Sequence, residues 1–177
     1  SGMTEWCKGP DLFVGLAAEL RRAVDRPLQL VWVGGATDGP TWWPLDHEAH
    51  HRGVADVVRF VGAQDDPGAW FRVADAFALT SREDAFPLAA LEAATAEVPL
   101  VTFDTGGMVE LVAAAGAGAV VPYPDLAAMA AVLAGWAGDE DGRRREATTL
   151  AAHVRAHHLT EVAAPALHAV LTDLVRR

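Results

Sequence analysis

Thr80-Ser81-Arg82-Glu83-Asp84-Ala85-Phe86-Pro87-Leu88-Ala89-Ala90-Leu91-Glu92 is the stretch on which the fold turns. The run before it, Ala76-Phe77-Ala78-Leu79, is short, apolar and β-favouring, which predicts a strand. The run after it predicts a helix over residues 87–96. A polar, acidic loop joins the two. The first N–H groups of such a helix have no partner within it and offer a site for an anion. Asp84 stands before the helix and Glu92 about one turn inside it. Carboxylates at these places can accept hydrogen bonds from sugar or ribose hydroxyls. Spacing alone allows a plainer arrangement, with Asp84 as an N-cap and Glu92 on the surface.

The same alternation extends outward in both directions. Upstream, Pro10 and Asp11 open a helix with Leu12, Phe13, Leu16, Ala17 and Leu20 at helical spacing. Strands are predicted at 28–33 and 57–61, ended by Gly34-Gly35 and Gly62. Between them lie a loop over 36–44 and about two helical turns over 45–52, and a short helix follows over 67–73. Downstream come strands at 99–103 and 118–121, a short helix over 107–112, and helices over 125–137, 140–157 and 160–175. Strands that are continuously apolar and alternate with helices belong to a parallel sheet covered on both faces. The expected fold is α/β, a three-layer α/β/α Rossmann-like domain. Ligands of such sheets bind at the carboxyl ends of the strands.

Composition bounds what this domain can be. The chain has 177 residues, 51% of them apolar and 21% charged, the balance of a single globular domain. The formal net charge of −10 argues against non-specific binding to nucleic acid or to an anionic membrane. The one cysteine, Cys7, excludes an intrachain disulfide. The N-terminal residues lack the pattern of a signal peptide, and the most apolar region, 111–121, is too short and glycine-rich to span a bilayer. A cytoplasmic protein is expected, peripheral to a membrane at most.

A second loop, Asp104-Thr105-Gly106-Gly107-Met108-Val109-Glu110, leaves a strand and enters a helix through paired glycines. Glycines there suit either a close approach of ligand to backbone or a simple tight turn. These two loops occur in order with Lys8-Gly9-Pro10-Asp11-Leu12-Phe13, Val31-Trp32-Val33-Gly34-Gly35, Phe60-Val61-Gly62 and Ala74-Asp75-Ala76-Phe77. Together they resemble the C-terminal, donor-binding half of a retaining GT-B glycosyltransferase of the family 4 type (glycosyl transferases group 1). Asp84 and Glu92, with seven residues between them, resemble the E-x7-E motif of that family.

The resemblance implies residue roles. Lys8 matches the lysine that contacts the donor diphosphate, Asp84 the acid that contacts the donor sugar, and Glu92 the acid that holds the ribose hydroxyls. Phe86 and Leu88 fall where the turn offers backbone N–H groups to phosphate and sugar. Gly106 and Gly107 match the loop flanking the donor, and Gly62 lies where the base is recognised through backbone. It also implies hexosyl transfer from a nucleotide-diphosphate sugar with retention, without metal or cofactor. Residues 1–177 would then be one nucleotide-sugar-binding domain. The N-terminal domain that binds the acceptor, and most of the first strand before Lys8, are not in this chain. By itself the chain is expected to bind donor weakly and to transfer little. Asp84 is one methylene shorter than the family's first Glu, Glu83 is its neighbour, and Pro87 removes one backbone donor.

Other readings stand beside this one. A non-catalytic nucleotide-sugar-binding or interaction module, or an epimerase of the same fold, would use the same architecture. His47-Glu48-Ala49-His50-His51 fits H-E-x-x-H, in which His47 and His51 share a helix face and can bind zinc with Glu48 as general base. Its helix is short and polar, bounded by Pro44 and Gly53, with no third ligand in evidence. Trp42 and Trp43 suit either an exposed contact surface or a local core. His153, His157 and His158, and Arg143 to Arg145, read as solvated.

Overall fold

Short apolar runs form all five expected strands. They are β1 (Leu30–Trp32), β2 (Val58–Phe60), β3 (Phe77–Leu79), β4 (Leu100–Phe103) and β5 (Ala119–Val121). Around them run α1 (Pro10–Ala23), α2 (Trp43–His51), α3 (Pro67–Phe71) and α4 (Leu88–Thr95). The chain ends with α5 (Met108–Ala115), α6 (Leu126–Gly138), α7 (Glu140–His157) and α8 (Thr160–Arg176). These come from a computed structural model, which describes residues 1–176. Three helices start at an aspartate cap. Asp66, Asp125 and Asp139 each accept from a backbone N–H in the first turn of α3, α6 and α7.

All strand pairings are parallel, in two sheets, β1-β2 and β3-β4-β5. Successive side chains of β4 point to opposite faces, and that alternation builds two cores. Val101 and Phe103 face a core shared with α1, α6, β1 and β2. Leu100 faces the other, shared with Phe77 and Leu79 of β3 and with α4, α5 and α7. A three-layer sandwich results around β3-β4-β5. The first sheet is thinner. Leu30, Trp32 and Val58 are buried on one face, while Val31 is half-buried and Arg59 exposed on the other.

Residues 2–9 link the two sheets at their carboxyl ends. Gly2 donates its N–H to Val33 just after β1, and the Trp32 indole donates to the Gly2 carbonyl. At the far end of the segment the Thr80 hydroxyl, just after β3, donates to the Gly9 carbonyl at 3.0 Å. The segment contains a 3-10 turn, Trp6–Lys8, that periodicity does not announce.

Candidate functional site

Lys8 closes the 3-10 turn, and Gly9 after it has φ 67°, the left-handed conformation. A Cβ at Gly9 would collide with the Thr80 carbonyl oxygen. Glycine therefore lets the lysine turn lie on the loop after β3. The Cys7 carbonyl accepts from the Arg82 N–H at 2.7 Å and completes the stitch. The result is a direct ion pair between two of the expected site residues. Lys8 Nζ lies 2.6 Å from Asp84 Oδ2, with the side chains 31% and 14% exposed.

This pairing changes the reading of Asp84. It does not cap α4, whose N-cap is Pro87, with no side-chain hydrogen bond there. The helix begins one residue later than its spacing suggests, at Leu88. Leu88 is 71% exposed and Phe86 partly exposed, both on the outside of this turn. Phe86 packs its ring 5.4 Å from that of His158.

Gly106 and Gly107 serve this same loop. Gly106 has φ 66°, and a Cβ there would strike the Asp84 carbonyl oxygen. Gly107 donates its N–H to the Ala85 carbonyl at 2.8 Å. The paired glycines thus bring the loop after β4 onto the backbone of residues 84–86. Lys8, Asp84, Phe86, Gly106 and Gly107 form one cluster at the carboxyl ends of β3 and β4.

Glu92 and Gly62 lie outside this cluster. Glu92 is exposed and lines a groove of about 520 Å³ with Asp66, Phe71, Arg72 and Thr95, between α3 and α4. Gly62 is buried just after β2, where its carbonyl accepts from the Gly34 N–H at 2.7 Å. A second cavity, of about 310 Å³, sits at the amino ends of β3 and β4 between Asp75, Glu97 and Arg143. It includes none of the expected site residues. Arg143 pairs with Asp75 there and is largely buried, so it is not solvated as its sequence context suggests.

Spacing also misses Arg82. Its guanidinium takes both carboxylate oxygens of Asp11, at 2.8 and 2.6 Å, and donates to the Trp6 carbonyl at 2.8 Å. It lies 4.7 Å from the centre of the Trp6 ring. That hydrogen-bonded contact holds the Asp11 carboxyl below the usual carboxylate range. His153, His157 and His158 are gathered as well, with ring centres 4.7 to 6.5 Å apart. Burial first, then the neighbouring histidines, lowers the pKa of His158.

His47 and His51 do share a face of α2, their rings stacked 6.5 Å apart. Glu48, the base of the zinc reading, is paired with Arg52 at 2.6 Å. Among the described residues no group of three or more His, Cys, Asp or Glu could hold a metal ion. No helix among them is long and apolar enough to cross a membrane.

The family described as "Glycosyl transferases group 1" matches residues 1–152. A D-inositol 3-phosphate glycosyltransferase of Jonesia denitrificans is 39% identical over 127 residues, 69% of this chain and 30% of the relative. The lipopolysaccharide core biosynthesis mannosyltransferase LpsB of Rhizobium meliloti is 31% identical over 175 residues, 96% of this chain and 49% of the relative. Among solved structures, Anabaena Alr3699/HepE in complex with UDP superposes with a TM-score of 0.82 at 18% identity, over 97% of this chain and 48% of that one. That likeness shows a shared fold. The chain spans less than half the length of these three proteins.

Proposed function

The chain belongs to the glycosyl transferases group 1 family, and from that premise we propose that it is the donor-binding domain of a retaining, metal-independent hexosyltransferase. The donor is a nucleotide-diphosphate sugar, taken as substrate with no cofactor. A further domain of the same protein supplies the acceptor site, in the cytoplasm. The observation that carries this reading is the Lys8–Asp84 pair, 2.6 Å long, held at the carboxyl ends of β3 and β4 by Gly9 and Gly106.

The chemistry follows from the charges. The Lys8 ammonium has three donors, and Asp84 occupies one. The others neutralise charge that grows on the diphosphate as the glycosidic bond breaks, the point at which stabilisation is worth most. Asp84 orients the lysine and accepts from a sugar hydroxyl. The backbone of Phe86 and Leu88 borders the phosphates at the start of α4, where Pro87 offers no N–H. Glu92 accepts from the ribose hydroxyls, and backbone at Gly62 meets the base. Relatives named for D-inositol 3-phosphate and for lipopolysaccharide core biosynthesis support a polyhydroxylated acceptor.

The test is calorimetric titration of this domain and of the full-length protein with UDP, GDP and ADP. One nucleotide should bind saturably, and Glu92→Ala should weaken it by about tenfold or more, the worth of a hydrogen bond to a charged group. Unchanged affinity in Glu92→Ala, or no binding by the full-length protein, would overturn the reading.

A further inference from the structure

Trp6 is 66% exposed, next but one to Lys8 in the same 3-10 turn. An indole left in water forgoes a large hydrophobic gain. This one is nonetheless held still. Its carbonyl accepts from Arg82, and its ring lies 4.7 Å from the guanidinium carbon. Arg82 is itself fixed by both oxygens of Asp11, and its side chain is 11% exposed. The Tyr123 hydroxyl, from the segment after β5, faces the same guanidinium, and Tyr123 is partly exposed. Two aromatic side chains thus stand at one half-buried cation, on the edge of the sheet that bears the Lys8–Asp84 pair.

The surroundings restrict what such a ring can receive. Glu5 and Glu83 are exposed carboxylates on the residues that form this rim. Acceptors around a π-face suit a neutral ring that carries hydroxyls at its edge and C–H groups on its face. They repel a polyanion. Since the ring already packs against the guanidinium, stacking on its other face costs little further order.

We propose that Trp6, held by Arg82 and flanked by Tyr123, is a stacking platform for a carbohydrate ring beside the donor pair. The ring is either the sugar of the donor or that of the acceptor; the chemistry is the same. The proposal rests on the donor-domain reading for its location, and the free-glycoside arm of its test needs no nucleotide.

The experiment is fluorine NMR of the protein labelled with 5-fluorotryptophan, with Trp6→Phe assigning the Trp6 resonance. Methyl glycosides of glucose, galactose and mannose are titrated with and without UDP, and UDP-glucose separately. At least one glycoside, or UDP-glucose, should shift the Trp6 resonance saturably where UDP alone does not. Binding of that ligand, followed by calorimetry, should fall at least about tenfold in Trp6→Ala and remain within about threefold in Trp6→Phe, while UDP affinity stays within about twofold. A shift by free glycoside with UDP bound assigns the platform to the acceptor, and a shift by UDP-glucose alone assigns it to the donor. A Trp6 resonance that no sugar moves, one that UDP alone moves, or a Trp6→Ala protein that binds sugar as tightly, each overturns the platform. Sugar binding without nucleotide binding would uphold it and overturn the donor-domain reading instead.

Discussion

Single residues carry most of the argument for the site, and glycines show it most sharply. Gly9→Ala puts a methyl group into the Thr80 carbonyl in a left-handed conformation. It should destabilise the domain by about 2–4 kcal/mol, combining backbone strain with displacement of the lysine turn. Gly135→Ala is the contrast, since that glycine lies inside α6 with open space around it. It should stabilise by about 0.5–1 kcal/mol. Urea denaturation of the two variants measures both, and equal effects would refute the steric account. Lys8 and Asp84 were legible as candidates because their neighbours match a family pattern. Their pairing was not, because 76 residues separate them and periodicity reports only local geometry. Spacing suggested Asp84 as a helix cap, but a partner from a distant turn took the carboxylate and left the cap to Pro87. Trp6 was silent in the sequence because its turn depends on the conformation of Gly9 rather than on a repeat.

At the scale of elements, strands and long helices were read well, for physical reasons. Residues 140–157 form α7 with the expected bounds because Asp139 caps its start and His158 ends it. The split of the strands into two sheets was not legible. Apolar runs say that strands are buried, not which edges meet. The junction of α7 and α8 carries a pH-dependent prediction. Burial and two neighbouring histidines lower the pKa of His158 below 6.5. As pH falls through 6.5 the unfolded chain takes up this proton first. Stability should therefore drop with falling pH from about 7, and level off below the folded pKa. Thermal unfolding between pH 5 and 8 should show this slope, and His158→Phe, which keeps a ring against Phe86, should flatten it. An identical profile in the variant would place the titration elsewhere.

The whole molecule is governed by its two cores, and Phe103 is fully buried in one of them. Phe103→Ala should cost about 3–5 kcal/mol. The midpoint of urea denaturation should shift accordingly, with loss of near-native circular dichroism if the domain cannot bear it. Val98→Ala, a smaller deletion in the other core, should cost clearly less, and the reverse order would mean that the cores do not divide as described.

β4 alone among the strands is paired on both sides and lies between the two cores. That position gives the molecule a clock. In heavy water the amides of Val101 and Thr102 should be the last to exchange, opening only when the entire domain does. Those of Val31 and Arg59, in a sheet with an unpaired edge and one open face, should exchange through smaller, earlier openings. The residues that join the sheets also carry Lys8. A bound donor should therefore slow exchange in β1 and β2 more than in β4, and the chemistry would be visible as a change in the order in which the molecule forgets its protons.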